Sequence, residues 1–227
     1  MSTLRVHNFA LSLDGFGAGD DRTFDAPFGH AGMRLMEWFF PTSTFVGMSG
    51  HDDESVGEGT RGVDDAFAAA TSDGIGAEIM GRGKFGPQVG PWENEEWRGW
   101  WGEEPPFHTP VVVLTHHPRP DLAVGETTFL FRDATPREAL DLAFEQAGGL
   151  DVRLGGGATT IRQFLEADLV DYLHVVVVPI ILGRGQRLWD GQEGLEQRFD
   201  VEVTASPSGV VHYVFTRRAT SATGASA

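Results

Sequence analysis

Apolar and polar positions along this chain follow the short periods of strands and helices, interrupted by one long irregular stretch near the amino end. Leu4, Val6 and Asn8 start an alternation that passes into a continuous apolar run up to Leu13, and Asp14-Gly15 closes it as a turn. This is the pattern of a strand entering a loop. From Gly15 to Gly62 the order is lost: the segment is Gly-rich, with a short helix predicted around Met33 to Phe39 and an acidic stretch at His51 to Gly59. A structureless connection of that length is unusual inside a compact domain, and it reads as an active-site flap or a subunit-contact insertion.

Beyond it the periods are regular. A helix is predicted over Val63 to Thr71, with Val63, Phe67 and Ala70 on one face, then a strand over Ala77 to Met80 running into Gly81. Trp97, Trp100 and Trp101 have helical spacing, which fits the packing of a short helix or a stacking wall for a substrate. Val111 to Leu114 reads as a strand buried on both faces of a parallel sheet, and Thr127 to Phe131 as another strand. Thr135-Pro136-Arg137-Glu138 opens a helix with cap, N1 proline and N3 glutamate; Ala139, Leu140, Ala143, Phe144 and Ala147 form its buried stripe and Gly148 stops it. Asp151 to Leu154 gives a strand, and Ile161, Phe164, Leu165 and Leu169 define one face of the next helix. Leu173 to Leu182 is a β-branched strand in which Pro179 predicts an edge or a bulge. A hairpin follows, Phe199 to Ala205 and Val210 to Arg217 around Pro207-Ser208-Gly209, and the tail after Arg218 is expected to be disordered. Strands and helices alternating in this way predict an α/β class with a mainly parallel sheet and an antiparallel end, built as one domain over residues 1–218.

Composition narrows the function. The 227 residues are 41% hydrophobic, start without a basic or apolar leader and contain no run of about 18 apolar residues, so a soluble, cytoplasmic protein is expected. With no cysteine there is no disulfide, thiolate nucleophile or Cys-based zinc site, and the eight histidines show no metal-binding spacing; no metal is expected. A net charge of -16 disfavours nucleic acid and anionic membranes as partners. Against that background, cations beside glycine loops are informative.

Two such loops follow strands. Gly155-Gly156-Gly157-Ala158-Thr159-Thr160 lets the backbone approach a pyrophosphate at a helix start, although a structural turn would look the same; Thr160 stands where a Rossmann fingerprint has its third glycine. Gly81-Arg82-Gly83-Lys84 joins a glycine turn to two cations, Lys84 being the only lysine, and reads as a phosphate clamp or as solvated charge. Leu114-Thr115-His116-His117-Pro118-Arg119 offers a hydroxyl, imidazoles and an arginine with no carboxylate before Asp121, favouring the 2'-phosphate of NADPH over NADH. Gly47-Met48-Ser49-Gly50-His51 misses the hydrolase nucleophile elbow by one position. The candidate catalytic carboxylates are Asp14 at the end of the first strand, and Asp65, beside Asp64, in the first turn of the helix after the insertion.

Taken together, S-L-D-G at Ser12 to Gly15, I-M-G-R-G-K-F at Ile79 to Phe85, V-V-V-L-T at Val111 to Thr115, L-G-G-G-A-T-T-I-R-Q-F-L-E-A-D-L-V-D at Leu154 to Asp171 and P-I-I-L-G-R-G-Q-R-L-W at Pro179 to Trp189 resemble the dihydrofolate reductase-like superfamily, in its branch related to the reductase domain of the bifunctional riboflavin-biosynthesis deaminase/reductase. The resemblance implies a three-layer fold, NADPH as cofactor, Ala10, Asp14 and Gly15 near the nicotinamide, and a homodimer. It further implies that Gly81, Arg82, Gly83, Lys84, Leu114, Thr115 and His116 hold the adenosine phosphate end and that Gly155, Gly156, Gly157, Ala158 and Thr159 hold the pyrophosphate. Dihydrofolate reductases place a pterin-holding carboxylate on the helix after the first strand, and the insertion leaves open how Asp64 or Asp65 aligns with it. The expected activity is NADPH-dependent reduction of a small heterocyclic or carbonyl substrate; the alternative is a non-catalytic nucleotide-binding protein using its Trp-rich segment as an interaction surface.

Overall fold

In the computed structural model, which describes residues 2–48 and 57–219, a nine-stranded sheet carries the fold. The chain runs β1 (Leu4–Ser12), β2 (Phe16–Ala18), α1 (Ser43–Met48), α2 (Val63–Ala69), β3 (Ile75–Gly81), α3 (Arg82–Phe85), β4 (Pro110–Leu114), β5 (Leu122–Val124), β6 (Thr127–Arg132), α4 (Pro136–Gln146), β7 (Asp151–Leu154), α5 (Ala158–Glu166), β8 (Tyr172–Val178), β9 (Gln186–Arg187), β10 (Phe199–Ala205) and β11 (Val211–Arg217). The sheet order is β10-β11-β8-β1-β7-β3-β4-β6-β5, with β2 and β9 forming a separate antiparallel pair. From β8 to β6 every neighbour is parallel, and β5, β10 and β11 are antiparallel. This is the mainly parallel α/β sheet with a C-terminal hairpin that the patterning predicts.

Local chemistry explains the firmest elements. At the start of α4 the Thr135 hydroxyl accepts from the Glu138 N–H while the Glu138 carboxylate accepts from the Thr135 N–H, closing the capping box, and Ala139, Leu140 and Ala143 bury its stripe. α5 buries Ile161, Phe164 and Leu165. Both helices pack on one face of the sheet, against Leu4, Val6, Ala77, Ile79, Val112, Val152, Leu154, Leu173 and Val175. On the opposite face two smaller apolar clusters stand apart: Ala10, Leu35, Trp38, Val176 and Val178 on one side, and Met80, Phe85, Phe107, Val111, Val113, Phe129 and Phe131 on the other. Between them β1, β7 and β3 present Arg5, His7, Arg153 and Glu78, the polar members of strands whose alternate positions lie in the first cluster.

Four expectations change. Pro179 marks neither an edge nor a bulge, because β8 is interior between β11 and β1 and simply ends at Val178 before the ring that could not donate. The helix expected at Met33 to Phe39 is a 3-10 segment, Gly29–Leu35, followed by turns. Trp97, Trp100 and Trp101 lie on turns, since Gly99 between them has φ +97, outside helical space. The insertion is not structureless: β2 pairs with β9, and α1 follows the 3-10 segment. The acidic stretch at His51 to Gly59 and the tail after Arg218 fall largely outside the described residues.

Candidate functional site

The two glycine loops meet at the carboxyl ends of the parallel strands. The Gly155 N–H donates to Ile79 O and the Gly81 N–H to Gly156 O, each at 2.8 Å, so the end of β3 and the turn from β7 into α5 are locked side by side. A side chain at Gly81 would collide with Thr160 Oγ1. The Gly156–Gly157 peptide is cis. α5 makes its first internal bond from Ile161 N–H to Gly157 O, which leaves the N–H groups of Ala158, Thr159 and Thr160 ahead of the helical ladder, and Gly157 provides no side-chain cap. An uncapped helix start whose turn is all glycine offers convergent N–H groups and the positive dipole end to an anion. Gly81 and Gly155 to Thr159 are thus brought together at one end of the sheet.

The cations expected beside them point elsewhere. The Arg82 guanidinium lies 3.8 Å from the centre of the Trp92 ring and donates to Gly90 O. Arg119 stacks against Trp92 and Phe131 and donates to Glu95 O and Trp97 O. Lys84 runs beneath the loop, where a Cβ on Gly155 would fall 2.5 Å from its Nζ. Aromatic packing on the sheet face, which short-range patterning does not show, therefore takes Arg82 and Arg119, whereas Lys84 stays against Gly155 and Glu78. Trp92, Trp97 and Trp101 pack on Phe85, Phe24, Phe107 and Phe129, so this segment is a packed shell. Near the strand end of β4, Leu114 is half-buried, the Thr115 hydroxyl accepts from His117 N–H at 3.1 Å, and exposed His116 lies 3.0 Å from Asp133. A carboxylate from the end of β6 thus stands where the sequence order showed none.

A strap from the insertion crosses the loops. Arg22 donates to Gly83 O, Phe24 packs edge-on to Trp97 at 4.8 Å, His30 Nε2 lies 3.2 Å from Leu182 O, and Arg184 pairs with Asp21 at 3.0 Å. Ala10 is buried beneath it and Gly15 sits against Trp189. Asp14 holds the strap's far anchor: its carboxylate accepts from the N–H groups of Leu182 and Gly183 at 3.1 and 2.7 Å. Desolvation works against its ionisation, but hydrogen bonds from Ser12 and from these backbone groups outweigh it and hold the pKa down at about 2. Asp65 accepts from the N–H and hydroxyl of Thr44, joining α2 to α1. Both candidate catalytic carboxylates are therefore engaged by loops and helix starts.

The neighbouring acid, Asp64, ends a buried relay of imidazoles. Asn8 N–H donates to His174 Nδ1 at 3.2 Å, His174 Nε2 lies 2.9 Å from His212 Nδ1, and His212 Nε2 lies 2.8 Å from Asp64 Oδ1. Because the first donor is a peptide N–H and the last acceptor a carboxylate, one neutral tautomer satisfies every link: each Nε2 is protonated and each Nδ1 accepts. Phe67 stacks on both rings, at 4.4 and 4.3 Å. Burial, with the neighbouring imidazoles, pushes His174 down to about 3, and burial lowers His212 despite Asp64. The sequence signal was a histidine inside the valine run of β8, which alone names no partner.

A profile of the family described as the RibD C-terminal domain matches residues 6–212. The chain belongs to the RibD C-terminal domain family. Among solved structures, this family member resembles a protein of Shewanella sp. PV-4 described with riboflavin biosynthesis (18% identity, 96% of this chain and 100% of that one, TM-score 0.56). It also resembles a pyrimidine reductase-like protein of Corynebacterium diphtheriae (14%, 96% and 92%, 0.51). A third is the diaminohydroxyphosphoribosylaminopyrimidine deaminase/5-amino-6-(5-phosphoribosylamino)uracil reductase of Thermotoga maritima (14%, 96% and 57%, 0.53), of whose length the chain spans little more than half. A search of curated proteins gives no match. The RibD C-terminal domain family is the branch that the motifs suggested, and the fold is the one shared with these solved structures. Among the described residues, no helix is long and apolar enough to cross a membrane, and no three His, Cys, Asp or Glu side chains gather as a metal site.

Proposed function

We propose that this chain is an NADPH-dependent reductase of a small heterocyclic or carbonyl compound, acting as a homodimer. The observation that carries the reading is the uncapped start of α5 held against Gly81, in a member of a reductase-type family. The backbone N–H groups from Gly157 to Thr159 would hold the pyrophosphate, Thr115 and His116 the adenosine end, and Ala10 and Gly15 the nicotinamide end. A bound reduced nicotinamide supplies the hydride. The chain's own contribution is positional: Gly81 and the Gly155–Gly157 turn fix the pyrophosphate, and the strap from Gly19 to His30 excludes water once it lies across the loops. Neither Asp14 nor Asp65 is assigned as proton donor, since backbone groups and Thr44 occupy them.

Fluorescence titration with NADPH and NADH tests the reading. Wild type is expected to bind NADPH more tightly than NADH, and Gly81→Ala, which forces a methyl onto Thr160, to weaken NADPH by about tenfold or more with the fold retained by circular dichroism. No binding at about millimolar NADPH, or no preference over NADH, sinks it. Sedimentation at several concentrations checks the dimer.

A further inference from the structure

The polar row between the two smaller clusters contains more donors and acceptors than it uses. Arg5 and Arg153 are register partners on β1 and β7, and Arg153 and Glu78 on β7 and β3, so three charged side chains stand abreast on one sheet face, with His7 and Lys84 one step along the strands. Glu78, 2% exposed, binds Arg153 through Oε1, and its Oε2 has no hydrogen-bond partner. Arg5 Nε, His7 Nε2 and Arg153 Nε, also buried, have none either. Arg5 keeps a longer contact to Asp151 at 3.5 Å. Four orphaned polar atoms from three adjacent strands are costly in a native interior unless something satisfies them.

Charge indicates what that is. Arg153 and Lys84 face a single Glu78, and burying the extra positive charge without a counter-ion is unfavourable. Lys84 feels this: burial lowers its pKa to about 8, with Glu78 opposing and Arg153 adding to the shift. Lys84 Nζ and the Arg153 guanidinium both lie near the Phe107 ring, at 5.7 and 5.9 Å from its centre, and Trp101 packs on that ring at 4.7 Å. The carboxylate among the cations disfavours a dianion and can accept from a protonated ligand.

We propose that Lys84, Arg153, Glu78, Arg5 and His7 form an anion site for a small singly charged oxyanion, a carboxylate or dihydrogen phosphate, beside Gly155 and on the sheet face away from α5. The side chains lie on the face opposite α5, which packs with Leu154 and Ile161 in the large apolar cluster, and they reach the glycine turn at Gly155, where a Cβ would fall 2.5 Å from Lys84 Nζ. The ligand's oxygens take the ammonium of Lys84 and the Arg153 Nε–H, and an O–H of dihydrogen phosphate meets Glu78 Oε2. The site stands whether or not the chain proves to be a reductase.

The test titrates inorganic phosphate and benzoate into the full chain without nucleotide, followed by tryptophan fluorescence, to which Trp101 reports, and by thermal shift. Saturable binding of either anion to wild type is expected, and which one binds identifies the source. Lys84→Met, which leaves the Glu78–Arg153 pair intact, should weaken it by about tenfold or more, and exposed Arg137→Ala should leave it unchanged. Glu78→Gln should tighten benzoate several-fold by removing the competing carboxylate, a gain that a purely structural role would not give. The proposal is overturned by no saturable response at about ten millimolar of either anion, by binding that Lys84→Met leaves intact, or by an anion that NADPH displaces irrespective of Lys84.

Discussion

The two faces of the sheet are made by the same strands and behave differently. On the face under α4 and α5, Leu4, Val6, Ala77, Ile79, Val152 and Leu154 interdigitate with Ile161, Phe164 and Ala143 in one apolar cluster with no polar member. On the other face the alternate residues of β1, β3 and β7 are Arg5, His7, Glu78 and Arg153, and those of β8 and β11 include His174 and His212. One face is held by area removed from water, at about 1.5–3 kcal/mol per large side chain. The other is held by two smaller apolar clusters flanking a polar row, where each donor or acceptor left unmatched is costly.

The comparison breaks most visibly on the apolar face. Phe164→Ala removes a ring with 0% exposure and is expected to cost about 3–5 kcal/mol in denaturant unfolding, independent of pH. If the loss is under about 1 kcal/mol, the apolar face is not what holds the sheet. The polar face should respond to pH instead. His174 titrates near 6.5 unfolded and about 3 folded, and His7, lowered by burial and by Arg5 and Arg153, also falls to about 3. Between those values the unfolded imidazoles bind protons and the folded ones do not, so stability is complete above about pH 6.5 and is lost as pH falls toward 3, by a few kcal/mol in all. His174→Phe should flatten that fall measurably in pH-dependent unfolding; an unchanged slope would remove the imidazole relay from the account. The smallest effect is local: Thr135→Ala opens the capping box of α4 and should cost about 1 kcal/mol, seen as faster amide exchange in its first turn. A loss equal to that of Phe164→Ala would mean that the cap and the core are not separable contributions.

Much of the framework was legible in the residues. α4 could be bounded because its signals, Thr135, Pro136, Glu138 and Gly148, are all within the helix or beside it, and β4 because a bare Val111–Val113 run admits few other readings. The glycine loops were legible as strand-end turns with exposed backbone N–H groups for the same reason: that property belongs to a few consecutive residues. For Arg82 and Lys84 the sequence did not show the partners they have, Trp92 for one and Glu78 for the other, because these are set by how the shell around residues 87–108 folds back over β3. The three-residue β5 was absent from the pattern, being too short to show a period.

What the sequence determined by itself is the set of elements, the apolar face and the two loops whose backbone can approach an anion, since each depends on spacing within about twenty residues. Only the tertiary structure decided where the charges go. His212 meets His174 across 38 positions and Asp64 across 148, and Glu78 meets Arg153 through strand register. Such pairings are invisible to periodicity because a polar residue in a strand announces its face and not its partner. The physical reason is range: propensity and capping act between neighbours, whereas a buried charge is placed by whichever strand the topology sets beside it.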